Sequence, residues 1–360
     1  MTCRIGLVYD LRSDYLAEGH TPEEVAEFDS ESTIAALESA IRALGHRPER
    51  IGHARALCER LVAGQRWELV FNIAEGLRGR SREAQAPAIL ELYGVPYTFS
   101  DPLVCAATLD KAVAKRLVAS AGLATPVFAV VECPEDVPAA GLPYPLFAKP
   151  VAEGTGKGTD AASRIDAPAE LRHVCERLLA RFDQPVLVEE YLCGREFTTA
   201  VLGTGPAARA IGTMEVEVLP AAERAIYSLE MKERCEELVR YSTLEPGALR
   251  REVEALGLAA HRVLECRDVS RVDIRLDGAG RPHFIEVNPL PGMHPTHSDL
   301  PMIATRAGMS YVELIEAILH SAWRRGGATR AHGRTRTDRD LHEQARTPCG
   351  ERGCSVRAAS

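Results

Sequence analysis

"FIEVNPLPGM", residues 284–293, begins as a β-strand and ends in a turn that contains two prolines and a glycine. Side chains two residues apart in a strand project from the same face of the sheet. Glu286 and Asn288 are therefore predicted to point together, on the face opposite Ile285 and Val287. The pattern places a carboxylate beside an amide at the end of a strand.

The preceding segment, RVDIRL at residues 271–276, alternates in the same way. Residues 277–280, Asp-Gly-Ala-Gly, have turn composition, so the two segments are predicted to form an antiparallel hairpin. Pairing brings Asp273, Glu286 and Asn288 together beside Arg271. Two carboxylates and an amide oxygen suit a hard cation, and Mg2+ is the expected ion. The alternative is an exposed polar sheet face with scattered acids, because such alternation is common.

The length and composition are typical of a globular protein with two or three domains. Of the 360 residues, 46% are hydrophobic and 26% are charged. No apolar run approaches the roughly 20 residues of a transmembrane helix. The first residues, MTCRIGLVY, are predicted to form a strand and not a secretion signal. The 10 cysteines lack the paired spacing of zinc sites, which favours buried free thiols in a reducing cytoplasm.

The net charge of −8 is unevenly distributed along the chain. Residues 324–360 contain nine arginines and four acidic residues, so this segment is positive and the rest is strongly acidic. Its Gly, Thr and Arg content predicts a disordered, Arg-rich tail that is dispensable from about residue 326. Weak contact with nucleic acid is the alternative to a solvated tail. The acidic body argues against nucleic acid as the main partner.

The first hundred residues alternate strands with helices, which predicts a parallel sheet with flanking helices. A second block of strands and one helix follows a helix predicted over 109–121. A third block contains a long helix over 248–266, the hairpin, and a final helix over 311–323.

A lysine-tipped strand followed by a glycine-rich loop, FAKPVAEGTGKG, occupies residues 147–158. Glycines let backbone N–H groups approach phosphate oxygens, and Lys149 supplies a positive charge. The glycine spacing matches neither a Walker A loop nor a dinucleotide fingerprint. A mobile surface loop is the alternative.

An apolar strand, VLVEEYL at 186–192, emerges into two acids and an aromatic residue. Such a strand end can line a purine slot, where backbone groups contact the adenine edge and a later carboxylate accepts hydrogen bonds from ribose. A strand end with surface acids is the alternative.

Several spaced motifs over about residues 3–322 resemble the ATP-grasp superfamily, and within it the D-alanine–D-alanine ligase family. The densest matches are FNIAEG (71–76), GVPYTFSDP (94–102), TLDKAVAKRL (108–117), FAKPVAEGTGKG (147–158), VLVEEYLCGREFT (186–198) and RVDIRLDGAGRPHFIEVNPLPGM (271–293). The resemblance implies an α/β protein with the ATP-grasp fold. An N-terminal parallel-sheet (pre-ATP-grasp) domain would span 1–104, and two α+β domains at 105–190 and 191–323 would sandwich ATP, with the tail at 324–360.

The resemblance implies a set of ATP-binding positions. Lys111 and Lys149 match lysines that contact the phosphates, and Lys232 matches a lysine near the γ-phosphate. The loop that closes over the phosphates matches Glu153, Gly154, Thr155, Gly156, Lys157 and Gly158. The adenine and ribose positions match Glu189, Glu190, Tyr191, Leu192 and Glu196.

The resemblance also implies two Mg2+ or Mn2+ ions held by Asp273, Glu286 and Asn288. Arg271 and the backbone of Gly292 match groups that stabilise a tetrahedral intermediate. Ser298 matches a residue that holds the second substrate's carboxylate, with the spacing one residue longer here.

The implied reaction forms a peptide bond between two amino acids. ATP phosphorylates a carboxylate to an acyl phosphate, which an amine then attacks. Water must be excluded from such an intermediate, so lids are expected at 154–158 and 227–241.

Some positions depart from the family pattern on the donor side. Glu75 stands where these ligases usually carry a histidine, Thr155 where they carry a serine, and Glu233 where they often carry a tyrosine. For the family's N-terminal donor-site glutamate, Glu27 and Glu31 are the candidates.

Glu75 and Glu233 predict a donor other than D-alanine, with an extra cation or further hydrogen-bond donors. The acceptor would keep a free carboxylate for Arg271 and Ser298. Alternatively, Glu233 faces outward from a lid, or the arginines of residues 78–82 neutralise Glu75.

Small amino acids are the expected partners, with no membrane and with a cytoplasmic homodimer implied by the resemblance. A nucleotide-binding protein that no longer ligates, acting as a regulator or scaffold, is the alternative function. The presence of all three candidate metal ligands disfavours it. The donor, the acceptor and their chirality stay open, as does a role in cell-wall or in specialised metabolism.

Overall fold

The computed structural model describes residues 2–218 and 239–333, which form three β-sheets with helices packed against them. The first sheet is parallel, with strand order β2-β1-β3. Its strands are β1 (Arg4–Val8), β2 (Arg47–Gly52) and β3 (Leu69–Asn72), and its helices are α1 (Arg12–Ala17), α2 (Glu31–Ala43), α3 (Ala54–Val62) and α4 (Gln85–Leu92). The predicted βαβ pattern and parallel sheet are confirmed.

The local sequence accounts for helix α2 but gives no indication of strand β2. Ser30 caps α2 by accepting a hydrogen bond from the Thr33 N–H, and its apolar residues at helical spacing, such as Ile34 and Ile41, are fully buried. Strand β2 lies at the edge of the sheet, and Ile51 is its one buried residue. Its polar sequence therefore carried no alternation from which a strand could be predicted.

The second sheet is antiparallel, with strand order β4-β7-β5-β6. Its elements are α5 (Pro102–Leu109), α6 (Lys111–Ser120), β4 (Phe128–Val131), β5 (Leu146–Pro150), β6 (Arg164–Ile165), α7 (Pro168–Phe182) and β7 (Val186–Glu190). The helix predicted over 109–121 is observed as α6, which begins two residues later, and the preceding helix α5 was not predicted. Asp110 is extended between them and caps α6 by accepting a hydrogen bond from the Val113 N–H.

The third sheet is also antiparallel and has the order β10-β9-β8-β11-β12. Its elements are β8 (Glu196–Leu202), β9 (Arg209–Val218), β10 (Val239–Thr243), α8 (Ala248–Val263), β11 (Val269–Leu276), β12 (Pro282–Asn288), α9 (Asp299–Arg306) and α10 (Tyr311–Gly333). Short 3-10 turns occur at Arg82–Ala84, Pro134–Ala140, Ala161–Ser163 and Gly205–Ala207.

The hairpin of β11 and β12 contains a bulge that the sequence did not reveal. Asp273 pairs with Glu286 as predicted, but the next pair joins Ile274 to Phe284, so Ile285 is an additional residue in β12. Phe284 and Val287 are the buried apolar residues of β12, while Ile285 lines a cavity with Glu286. The assignment of Ile285 to the opposite face is therefore wrong.

The last helix packs against the first sheet. Leu314, Ile318 and Leu319 of α10 belong to the same buried cluster as Ile5 of β1 and Leu37 of α2. One face of the first sheet is thus covered by α2 and α10, while α3 and α4 cover the other face.

The boundary predicted for the tail at residue 324 is too early, because α10 continues to Gly333. Arg325 contacts the fully buried Asp268 at 2.5 Å and donates to the carbonyls of Tyr97 and Phe99. Residues 334–360 lie outside the described residues. Dispensability from about residue 326 stays a prediction, which the melting temperature of a chain ending at Arg325 tests.

Seven of the 10 cysteines lie in the part of the chain that the structure describes. Cys105, Cys175 and Cys266 are buried, whereas Cys58 and Cys193 are exposed. The predicted burial of the cysteines is therefore confirmed for three of them and wrong for these two.

Within residues 2–218 and 239–333, no helix combines the length and apolar character needed to span a membrane.

Candidate active site

Two cavities meet at the open face of the third sheet. One, of about 350 Å³, lies between the second and third sheets and is here named the nucleotide cavity. The other, of about 300 Å³, lies towards the first sheet and is named the amino-acid cavity. They share four charged lining residues: Lys111, Arg271, Glu286 and Asp299.

The predicted metal-ligand residues lie where the cavities meet. Asp273 faces Glu286 across the strand pair, and the amide of Asn288 is 3.5 Å from Asp273 Oδ2. The Arg271 guanidinium bridges Asp273 at 3.0 Å and Asp299 at 2.8 Å. Burial, together with the charges of Glu286 and Asp299, raises the pKa of Asp273 to about 6 against the opposing effect of Arg271. The carboxylates of Asp273, Glu286 and Asp299 therefore lie together around Arg271.

This arrangement fits a divalent cation. Among the described residues, no group of three or more His, Cys, Asp or Glu side chains is arranged to hold a metal. The predicted set instead consists of two carboxylates and one amide, all oxygen donors, next to a cavity that leaves room for phosphate oxygens. A hard cation at Asp273, Glu286 and Asn288 would favour the ionised form of the two carboxyls.

Two lysines contact a buried glutamate in the nucleotide cavity, and a third lysine lies beside Glu286. Glu189 contacts Lys115 Nζ at 2.8 Å and Lys149 Nζ at 3.0 Å. Lys149 Nζ also lies 4.0 Å from Glu286, and Lys111 Nζ lies 3.6 Å from it. Burial lowers the pKa of Lys115 to about 8, although Glu189 opposes the shift. The Glu189 carboxylate therefore holds two lysines, and its place in the adenine site stays a prediction.

The far end of the nucleotide cavity carries the predicted adenine and ribose residues. The Tyr191 ring stacks with Phe147, and the guanidinium groups of Arg164 and Arg275 lie over it at 4.8 Å and 5.1 Å. Arg275 also contacts Glu196 at 3.3 Å. The nucleotide cavity is lined by every residue of the predicted adenine and ribose set: Glu189, Glu190, Tyr191, Leu192 and Glu196.

The glycine-rich loop separates the two cavities. Glu153, Gly156 and Lys157 line the nucleotide cavity, whereas Gly154 and Thr155 line the amino-acid cavity. Gly158 lines neither cavity: a Cβ there would come within 2.6 Å of Pro150 and 2.8 Å of Phe182, and its φ is +75°. Gly158 is therefore required for packing, and its contact with phosphate stays a prediction.

Glu27 anchors this loop to the first sheet region. Its carboxylate accepts hydrogen bonds from the Gly154 N–H at 2.8 Å and from Arg82 at 2.8 Å, and it contacts Lys157 at 3.0 Å. Of the two candidates for the donor-site glutamate, Glu27 lines the amino-acid cavity. Glu31 instead pairs with Arg50 at the surface. The Glu27 carboxylate is already occupied by two cations and a backbone N–H.

Replacing Glu27 by Gln is expected to lower the free energy of unfolding by about 3 kcal/mol near neutral pH, since two buried cations lose their counter-charge. Burial alone would raise the pKa of Glu27, but the charges of Arg82 and Lys157 outweigh it and lower the pKa to about 2. The contribution is therefore complete above about pH 4.5 and declines as the pH falls towards 2.

Urea unfolding near pH 7 and near pH 3 measures both effects, and the difference between wild type and Glu27→Gln is expected to shrink at the lower pH. Glu23→Gln is the matched control, because Glu23 contacts Arg181 at 2.6 Å on the exposed surface. Its expected effect is below about 1 kcal/mol. Equal effects of the two substitutions would show that the Glu27 contacts add no stability.

Ser298 and Gly292 lie together in the amino-acid cavity. Ser298 precedes α9, and its hydroxyl accepts a hydrogen bond from the His294 N–H at 3.0 Å. A Cβ on Gly292 would lie 2.7 Å from Ser298 Oγ, so the backbone at Gly292 and the hydroxyl are in close approach. The structure thus brings together the two residues predicted to contact the second substrate and the intermediate.

Replacing Gly292 by Ala is expected to raise the KM of the acceptor amino acid by about 10-fold, because the new methyl group displaces Ser298 from its position. The KM of ATP is expected to change less than about twofold, since Gly292 does not line the nucleotide cavity. Steady-state kinetics with each substrate varied in turn measures both. Equal changes in the two constants would indicate a general distortion of the fold.

Two predicted site residues, Lys232 and Glu233, lie outside the described residues, as does most of the lid predicted at 227–241. Thr155 and Glu75 both line the amino-acid cavity.

Sequence reasoning missed Lys115, Asp299 and Glu83, which the structure adds to the site. Lys115 follows Lys111 by one helical turn, a spacing from which it was predictable. Asp299 and Glu83 carried no comparable pattern.

Comparison with known proteins agrees with this geometry. Residues 117–320 match the family model described as the D-ala D-ala ligase C-terminus. The chain is 35% identical over 270 residues to the uncharacterized protein y4sG of Sinorhizobium fredii, covering 71% of this chain and 75% of that protein. It is also 35% identical over 271 residues to the D-alanine–D-alanine ligase of Bordetella petrii, covering 74% and 79%.

A solved structure has the same fold. The D-alanine–D-alanine ligase of Bacillus anthracis, complexed with ATP, superimposes with a TM-score of 0.70 at 21% identity. The match covers 91% of this chain and all of that one. Together with the sequence matches, which span more than half of the chain, it confirms the fold and the resemblance inferred from the motifs. The chain belongs to the D-alanine–D-alanine ligase family of the ATP-grasp superfamily.

Proposed function

We propose that the protein is an ATP-dependent ligase that joins the carboxylate of one amino acid to the amine of another. The observation that carries this proposal is the meeting of the two cavities at Lys111, Arg271, Glu286 and Asp299. ATP bound in one cavity would direct its phosphates towards a carboxylate bound in the other. Relatives named as D-alanine–D-alanine ligases support the reaction type.

Lysine side chains are held in place at the end of the nucleotide cavity where the phosphates of ATP would bind. Glu189 holds Lys149 and Lys115 in place, so the charge that faces the γ-phosphate is positioned before ATP binds. Lys111, at the first turn of α6, donates to the carbonyl of Glu153 at 2.5 Å and thereby contacts the glycine-rich loop. These groups would bind and orient the transferring phosphoryl group.

Asp273, Glu286 and Asn288 would hold Mg2+. When bound, the cation neutralises charge on the phosphate oxygens and acts as a Lewis acid. Phosphoryl transfer to the donor carboxylate gives an acyl phosphate and ADP, because the bond between the γ-phosphorus and the bridging oxygen breaks as the new P–O bond forms.

Attack by the acceptor amine then forms the C–N bond and releases phosphate. The Arg271 guanidinium and the Gly292 N–H would stabilise the oxyanion that develops at the donor carbonyl. Ser298 would bind the acceptor's carboxylate. The glycine-rich loop, anchored through Glu27, would exclude water from the acyl phosphate.

A matrix assay tests the proposal. D- and L-amino acids are combined in pairs with ATP and Mg2+, and both phosphate release and product mass are measured. We expect ADP, phosphate and a dipeptide in equal amounts. ATP turnover without an amide product, or no turnover with any pair, would contradict the ligase assignment and favour a nucleotide-binding role without catalysis.

A homodimer and a cytoplasmic location stay predictions. Light scattering of the purified protein tests the first, and fractionation of the producing cells tests the second. The identity of the two amino acids depends on the amino-acid cavity, whose charges are considered next.

A further inference from the structure

Two carboxylates of the amino-acid cavity have no partner among the described residues. Glu83 is 8% exposed, and its Oε2 is buried without a hydrogen-bond partner in that part of the chain. Glu75 is half-buried and lines the same cavity. Burial raises the pKa of both groups, to about 7 for Glu83; the charge of Glu83 further raises the pKa of Glu75, and the charge of Glu27 further raises that of Glu83.

The other acids of the cavity are compensated. Glu27 contacts Arg82 and Lys157. Asp299 contacts Arg271 at 2.8 Å, and Glu286 lies 3.6 Å from Lys111. Uncompensated negative charge in this cavity is therefore concentrated at Glu75 and Glu83, here named the carboxylate pair.

Arg12, a further cation in the cavity lining, does not neutralise the carboxylate pair. Its guanidinium donates to the backbone carbonyls of Ala26 and Phe28. Two of the three arginines of residues 78–82, considered from the sequence as partners of Glu75, form their ion pairs elsewhere, although the charge of Arg82 still lowers the pKa of both carboxyls. Arg80 contacts Asp110 and Arg82 contacts Glu27.

We propose that Glu75 and Glu83 form the cation-binding end of the donor pocket and bind a primary ammonium group of the donor amino acid. A primary ammonium has three hydrogen-bond donors and no acceptor, so it can satisfy two carboxylates that only accept. The inference rests on the proposed function, because it assigns one end of the cavity in which that function places the donor.

The ammonium has two possible sources, the α-amino group and a side chain. One α-ammonium brings a single positive charge, whereas the pair brings two carboxylates. A bound cation lowers these raised pKa values and promotes ionisation of both carboxyls, and once both are ionised the charge balance favours a donor with a second ammonium on its side chain. We expect a diamino acid, such as 2,3-diaminopropionate or ornithine, to be a better donor than alanine.

The test compares wild type, Glu75→Gln and Glu83→Gln with three donors at a fixed acceptor: alanine, 2,3-diaminopropionate and ornithine, each as both enantiomers. Fragmentation of the product by mass spectrometry identifies which residue is the donor. The KM of the diamino donor is expected to rise about 10- to 100-fold in each variant, with a smaller change in kcat. Calorimetric titration of the diamino acid measures the loss of binding without turnover.

Glu59→Gln is the matched control, because Glu59 is exposed on α3 and lines neither cavity. Its donor KM is expected to match that of wild type. The melting temperatures of Glu75→Gln and Glu83→Gln are expected to be unchanged or higher, because each removes a buried charge without a partner.

The outcomes separate the two levels of the proposal. A rise in KM for diamino donors alone assigns the pair to a side-chain ammonium, and an equal rise for alanine assigns it to the α-ammonium. Amide formation with unchanged donor KM in both folded variants would overturn this inference and leave the ligase assignment intact. A wild type that forms no amide with any donor would overturn the ligase assignment and this inference with it.

Discussion

Replacing Glu286 by Gln is expected to lower kcat by about 100-fold or more while leaving the fold intact. Glu286 faces Asp273, lies within 4.0 Å of two lysines, and lines both cavities. The amide removes one of two carboxylates that would hold Mg2+, and a bound cation contributes several kcal/mol to phosphoryl transfer. The melting temperature is expected to stay unchanged, since the substitution reduces the repulsion between residue 286 and Asp273.

Turnover at increasing Mg2+ concentration measures the effect, and the Mg2+ concentration for half-maximal rate is expected to rise. Glu217→Gln is the control, because Glu217 lies on β9 of the same sheet and is exposed. Its turnover should equal that of wild type. Near-normal turnover of Glu286→Gln would remove this residue from the metal site.

Replacing Arg271 by Lys is expected to lower kcat by about 100- to 1000-fold, the loss typical of removing one oxyanion donor. Lysine keeps the positive charge, but it cannot span Asp273 and Asp299 as the planar guanidinium does. The charge left near the reacting carbonyl would therefore lack a fixed position. The KM of ATP is expected to change little, because the adenine end of the cavity is unaffected.

Arg281→Lys is the matched control for this substitution. Arg281 pairs with Asp277 in the turn of the same hairpin and is largely exposed. Its kcat is expected to stay within about twofold of wild type. If Arg271→Lys kept more than about a third of wild-type kcat, a role at the oxyanion would be untenable.

Periodicity was sufficient to predict the hairpin that carries the proposed metal ligands. The alternation in residues 271–276 and the turn composition at 277–280 led to the observed pairing of Asp273 with Glu286. The bulge at Ile285 was not predictable, because it depends on the register between two strands and not on either strand's own pattern. Asp110 is a similar case. The helix predicted over 109–121 includes this residue, whereas in the structure Asp110 precedes α6 and caps it.

The donor side of the site was harder to predict for a different reason. From the sequence, Glu27 and Glu31 are equally plausible as the donor-site glutamate. Their different positions follow from long-range contacts, of Glu27 with Lys157 and of Glu31 with Arg50. Glu83 becomes a site residue only because residues 2–218 and 239–333 leave its buried Oε2 without a hydrogen-bond partner. Such absences of contact have no local sequence signature.

The packing of α10 against α2 and β1 has a consequence for synthesis on the ribosome. The apolar face of the N-terminal sheet is completed by side chains about 270 residues later in the chain, such as Leu314 and Ile318. At about 5–20 residues per second, that delay amounts to tens of seconds. A nascent chain must therefore keep this face protected, by chaperones or by transient collapse, until the last helix has left the exit tunnel.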